Sequence, residues 1–175
     1  MYNNIGHILV VGDEGVGKTT LLQKISDSEK SHMKETLNVH FFENSQPSND
    51  ETTSRYSGRY HYVIIMYDTS DVTTFTNILR WEKFSKIITG NNNIKFILIG
   101  NKTNKPRVVS EGTGEQMAIT LNAAFLEIDA LNDDAKYLIM TLLRNMAMKD
   151  YAQEFKSKTN EIRSLMNKRR QCIIL

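Results

Sequence analysis

Eight residues near the start of the chain have the types and spacing to hold a phosphate: Gly12-Asp13-Glu14-Gly15-Val16-Gly17-Lys18-Thr19, followed by Thr20. The pattern is GxxxxGK[ST]. It lies between an apolar run, Ile8–Val11, and a segment of helical spacing, Thr19–Ile25. The glycines let backbone N–H groups converge on phosphate oxygens at a helix N-terminus, where the peptide dipoles favour an anion. Lys18 brings a cation to β- and γ-phosphates, and the Thr19 hydroxyl is a ligand for Mg2+. These residues mark a site for a nucleoside di- or triphosphate.

The other chemistry lies at the far end. Cys172-Ile173-Ile174-Leu175 is a cysteine, two aliphatics and a terminal Leu, the form of a prenylation box in which Leu favours geranylgeranyl. Lys168-Arg169-Arg170 lie just upstream, with Lys156, Lys158 and Arg163 further back. One lipid and one basic patch are the two signals that stable anchoring needs. The expectation is a chain modified by a prenyltransferase, of its own cell or a host, and held on the cytoplasmic face of a lipid membrane. The competing reading is an accidental apolar terminus behind a solvated basic helix.

The elements that position these residues follow from length and patterning. The chain has 175 residues and a mass of 20.1 kDa, which fits one domain of ordinary size. A hydrophobic fraction of 40% against a charged fraction of 24% describes a globular chain, not a disordered one. No apolar run approaches the roughly 18 residues of a membrane-spanning helix. Residues 1–11 lack the pattern of a secretory signal. The single cysteine excludes an intrachain disulfide and a Cys-based metal cage, and the four histidines have no ligand spacing. Charge is uneven: residues 151–175 carry six Lys/Arg against two Glu, while residues 1–150 carry 16 basic and 18 acidic side chains. The positive charge belongs to the tail. That argues for a surface-binding tail and against a nucleic-acid-binding body.

Four apolar runs, Ile8–Val11, Tyr62–Tyr67, Ile94–Ile99 and Ala124–Ile128, mostly lack clean alternation, as buried parallel strands do. Helical segments separate them: Thr19–Ile25, one helix led by Phe75, Ile78 and Leu79 that reaches about Ile88, and Glu111–Leu121. Ala135, Ile139, Leu142, Leu143 and Met146 mark a last helical stripe, which continues as an exposed helix because Tyr151–Lys168 contains no Pro or Gly. The last several residues are expected to be disordered. Asn44–Arg55 reads as a loop. Strands alternating with helices predict an α/β fold with an open, mostly parallel sheet of five to six strands. The expected organisation is a nucleotide-binding domain over residues 1–150 and a basic helical tail over 151–175.

Beyond the phosphate loop, four places resemble the Ras superfamily of small GTPases, and its Rab branch most. Tyr56-Ser57-Gly58 with Val63–Asp68 and Thr69-Ser70-Asp71 is similar to YYRG…YDxTD, and Trp81 follows where that family places a helix tryptophan. Gly100-Asn101-Lys102-Thr103-Asn104 resembles the guanine-reading GNKxD. Val109-Ser110, Leu121-Asn122, Phe125 and Glu127-Ile128-Asp129-Ala130 resemble VS…ELN…F…ETSA. The resemblance implies a six-stranded P-loop NTPase sheet, exchange of GTP for GDP with Mg2+, exchange factors, and effectors recruited to membranes. On it, Asn101 braces the phosphate loop, Lys102 packs on the base, position 104 reads guanine, and Asp129 with the Ala130 N–H lies at the base.

The departures carry weight of their own. Asn104 stands where the family has an Asp that accepts two hydrogen bonds from guanine. An amide has one acceptor oxygen and presents a donor to a donor, so guanine selectivity is expected to fall roughly 10- to 100-fold. The same amide suits xanthine, although water or a neighbouring carboxylate would also serve. Glu14 replaces a small residue beside the γ-phosphate: either it crowds and repels that phosphate, or it turns to solvent. No Asp-x-x-Gly lies between Phe42 and Tyr56, which leaves the catalytic residue unassigned; Gln46 is the one glutamine nearby and Glu43 the one acid with suitable spacing. Thr36-Leu37-Asn38-Val39-His40-Phe41 resembles TIGVDF, making Thr36 a second contact to Mg2+ and the γ-phosphate. Residues 37–43 then form the family's second, edge strand, as their alternation suggests; in the alternative they fill the interior third-strand slot. The base-stacking aromatic of this region is missing, with Lys30 and His32 nearest. Two readings follow: a membrane-anchored GTP switch with slow hydrolysis, or a pseudo-GTPase adaptor that keeps the fold and the anchor. An ATP-dependent P-loop kinase would leave the tail unexplained.

Overall fold

The computed structural model describes residues 7–27, 40–44, 60–132 and 134–171. Among them, five strands form one sheet: β1 (His7–Val11), β2 (His40–Asn44), β3 (Tyr60–Asp68), β4 (Lys95–Asn101) and β5 (Ala124–Ile128). Their order is β2-β1-β3-β4-β5 and every pairing is parallel. β1 is buried from Ile8 onward, β3 at all positions but His61, and β4 beyond Lys95. Strands covered on both faces need no polar side, which is why their sequences do not alternate.

Parallel neighbours need crossovers, and helices supply them. These are α1 (Lys18–Asp27), α2 (Val72–Thr76), α3 (Ile78–Thr89) and α4 (Glu111–Leu121). Ile78, Trp81, Ser85 and Ile88, at steps of three and four, form the buried face of α3. Its end is set by Gly90 at φ 61° in the left-handed region. Strand order reverses around β1, with β2 on one side and β3 on the other. Chains that leave such a switch point diverge and open a crevice at the carboxyl ends of the strands. The segments after β1, β3, β4 and β5 all emerge at that edge.

Two expectations change. The helix over residues 75–88 is two helices, because Asn77 breaks it. Asp71 caps α2 by accepting from the Thr73 N–H at 2.8 Å. The Asn77 carbonyl then starts α3, accepting from Arg80 and Trp81 at 3.0 and 3.1 Å. The other change concerns β2. It pairs directly with β1, in parallel, so it takes the slot beside β1 that the resemblance gave to a third strand. Asn44 closes this strand instead of opening the loop. Residues 45–59 and Thr36 lie outside the described residues.

The chain divides into two compact units, residues 1–137 and 138–175. The first carries the sheet and α1–α4. The second consists, among its described residues, of the greater part of α5 (Asp134–Gln171), a helix of 38 residues. The boundary expected at residue 150 falls within this unbroken helix.

Candidate functional site

The phosphate loop leaves β1 at Val11 and closes where α1 opens at Lys18. The Gly17 carbonyl takes the first helical bond, from Leu21 N–H at 3.0 Å. Gly12 has φ 150° and Gly17 φ 98°, both disfavoured for a side chain. Space decides the matter as well: a Cβ on Gly12 would run into the Met66 carbonyl oxygen, and one on Gly17 into Asn101 Nδ2. Lys18 is 3% exposed, and its Nζ donates to the carbonyls of Gly12 at 2.9 Å and Asp13 at 2.7 Å. A buried cation beside a glycine loop at a helix N-terminus suits a diphosphate.

Both acidic side chains of the loop are accounted for. Glu14 and Gly15, at the tip, are exposed. The Asp13 carboxylate accepts from Asn77 Nδ2 and from Trp81 Nε1, each at 2.7 Å. Of the other loop residues, Val16 is buried and Thr19 exposed, and Thr20 lies in the first turn of α1. If Mg2+ binds here, Thr19 is the described residue that would hold it.

Asn101, at the end of β4, joins two loops. Its Nδ2 donates to the Val16 carbonyl at 3.0 Å, and its Oδ1 accepts from the Ala130 N–H at 3.0 Å. The Asn101 side chain thus uses both its oxygen and its nitrogen, is 6% exposed, and brings the phosphate loop and the 129–132 turn together. That turn is closed by Asp129, whose Oδ1 accepts from Leu131 N–H at 2.9 Å. Lys102 N–H donates to the Ile128 carbonyl at 2.6 Å, and its half-exposed Nζ lies 3.7 Å from Glu127 Oε2. Asn104 is exposed in the turn that follows.

Four supports escaped sequence reasoning. Asp68 accepts from the Ser70 N–H at 2.8 Å and the Ser70 hydroxyl at 2.6 Å, and Thr103 Oγ1 lies 3.4 Å away. These contacts fix the turn after β3 against the turn after β4. Arg107 binds Glu127 through two parallel bonds of 2.8 and 2.7 Å, which holds the loop before α4 to β5. Asn77 and Trp81 were invisible as partners of Asp13 because they lie 64 and 68 residues away. Of these two, the tryptophan had a signal, its place in the resemblance. Gln46, Thr36, Lys30, His32 and Cys172 lie outside the described residues, while Glu43 lies in β2.

The Ras family model matches residues 45–148. The chain belongs to the Ras family. The match begins downstream of the phosphate loop and ends within α5, so it comes from a different part of the chain than the loop geometry. Curated relatives place this Ras-family chain near the Rab branch. It is 32% identical to the Ras-related protein SEC4 of Saccharomyces cerevisiae, over 76% of this chain and 70% of that protein. It is 29% identical to the Ras-related protein Rab-1A of Dictyostelium discoideum, over 74% and 73% of the two chains. With the Ras-related protein RIC1 of Oryza sativa subsp. japonica it shares 27% identity, over 79% and 80%. The chain is a Rab-like small GTPase of the α/β class, and the Ras family implies guanine-nucleotide binding.

Proposed function

We propose that this chain is a lipid-anchored GTP/GDP switch of the Rab type, with slow hydrolysis, that recruits effector proteins at a membrane surface. The observation that carries the nucleotide half of the reading is the buried Lys18 within the glycine loop, braced by Asn101. Lys18 and the first turn of α1 bind the phosphates. Lys102, Asp129 and Ala130 stand at the edge where a base would lie. Bound Mg2+ would neutralise phosphate charge, with Thr19 as its ligand. The anchor half rests on sequence: Cys172 in a prenylation box behind Lys168-Arg169-Arg170. Slow hydrolysis rests on the sequence, in which no Asp-x-x-Gly lies between Phe42 and Tyr56; the exposed Glu14 adds nothing to it.

The test is the nucleotide content of the purified protein and its titration with GDP and Mg2+. Retained guanine nucleotide is expected, and Lys18→Ala should abolish it. A folded wild-type protein with no bound nucleotide and no titration heat would overturn the switch and leave the tethered adaptor.

A further inference from the structure

We propose that Asn77 and Trp81 are positioning residues for the nucleotide: through Asp13 they fix where Lys18 stands, and they keep the Asp13 carboxylate away from the phosphates. This rests on the guanine-nucleotide reading of the loop.

Asp13 makes three polar contacts. Its carbonyl accepts from Lys18 Nζ, while its carboxylate accepts from Asn77 Nδ2 and Trp81 Nε1, all at 2.7 Å. Both donors belong to the start of α3. Asn77 is the residue that breaks the helix, and its side chain makes no cap of its own. Trp81 is 4% exposed, and its ring meets Phe84 edge-on at 5.6 Å. A packed indole has one place to put its N–H, and that place is Asp13. Hydrogen bonds to a carboxylate are short, strong and directional. The side chain is held toward α3, and the same residue's carbonyl is thereby held under Lys18.

The clamp also manages charge. The loop must receive a polyanion, yet its second residue is an anion. Released from its two donors, the Asp13 carboxylate could swing toward the phosphates and repel them at short range. Loss of the donors therefore does two things: it loosens the seat of Lys18 and it frees a misplaced charge. The second effect disappears if Asp13 is removed as well.

The experiment measures GDP dissociation, with Mg2+ present, from the full chain. Wild type is expected to hold GDP. The variant Asn77→Ala/Trp81→Phe should release it roughly tenfold faster, as loss of two charge-assisted bonds implies. Adding Asp13→Ala to that pair should restore slower release, which a purely structural role for the three side chains would not do. Asn77→Ala alone keeps the buried ring and should move in the same direction by a smaller factor. Trp81 is the chain's one tryptophan, so it supplies a second readout. Its emission should change when GDP and Mg2+ are added to nucleotide-stripped wild type and stay unchanged in Asp13→Ala. Wild-type release rates in the folded pair variant, no rescue by Asp13→Ala, or an indole blind to GDP would each overturn the relay while wild type still binds. If folded wild type binds no GDP, the relay and the nucleotide reading fall together.

Discussion

At the scale of single residues, Asn104 is the position where this chain departs most plainly from the guanine-reading pattern. It is exposed after β4, one residue beyond Thr103, whose hydroxyl is tied to the Ser70 hydroxyl at 3.1 Å. The neighbouring geometry is intact, since Asn101 makes both of its side-chain bonds. On the proposed guanine reading, in which position 104 faces the base, Asn104→Asp offers an acceptor to two guanine donors, and GDP binding should tighten roughly 10- to 100-fold. Calorimetry of the two proteins checks this. Equal affinities would mean that another group already accepts those protons. The place of Lys18 in the glycine loop was legible because a phosphate loop demands fixed residue types at fixed spacing, and that of Asn101 against the loop came with the resemblance. The partners of Asp13 were not, because a carboxylate accepts from any donor the fold brings near.

At the scale of elements, the packing of β3 on α4 contains a conflict. Tyr67 is fully buried, with its ring edge-on to Phe75 at 5.1 Å, and its hydroxyl has no hydrogen-bond partner among the described residues. Gly100 and Gly114 make room for that hydroxyl: a Cβ on Gly100 would approach it to 2.8 Å, and one on Gly114 would meet both it and the Phe125 ring. A buried hydroxyl without a partner is destabilising by about 1–3 kcal/mol. Tyr67→Phe should therefore stabilise the fold by about 1 kcal/mol, a rise in Tm of roughly 2–4 °C. Gly114→Ala should destabilise it by about 1–3 kcal/mol through overpacking. Thermal unfolding of the two variants tests both signs. Burial, and next the Glu127 charge, push the Tyr67 hydroxyl above its ordinary value near 10. The folded state holds this proton more tightly than the unfolded state does. Its contribution is complete below about pH 10 and declines as pH rises beyond that, so Tyr67→Phe should lessen the alkaline loss of stability.

At the scale of the whole molecule, α5 makes up most of the second compact unit and leads to the residues of the proposed anchor. At 1.5 Å per residue, the 38 residues from Asp134 to Gln171 make a rod of roughly 55 Å. It ends one position before Cys172. On the proposed anchoring, Lys168-Arg169-Arg170 would add about 1 kcal/mol each near an anionic surface. Cys172→Ser should move the protein from the membrane to the soluble fraction of prenylation-competent cells, with GDP binding unchanged. Fractionation decides it, and full membrane retention by the variant would remove the lipid from the account.

The sequence by itself determined the layered α/β plan, all five strands though not the slot of the second, the spacing of the phosphate loop and the family. Those signals are local: apolar runs without alternation, helical spacing between them, and glycines where backbone must approach a phosphate. Only the tertiary structure decided that β2 lies parallel beside β1, that the helix after β3 breaks at Asn77, and that Trp81 holds Asp13. These depend on pairs of residues far apart in the chain. Many residues can donate a proton or fill a strand slot, so which of them meet is set by packing the whole sheet and its helices together, not by any one stretch of residues.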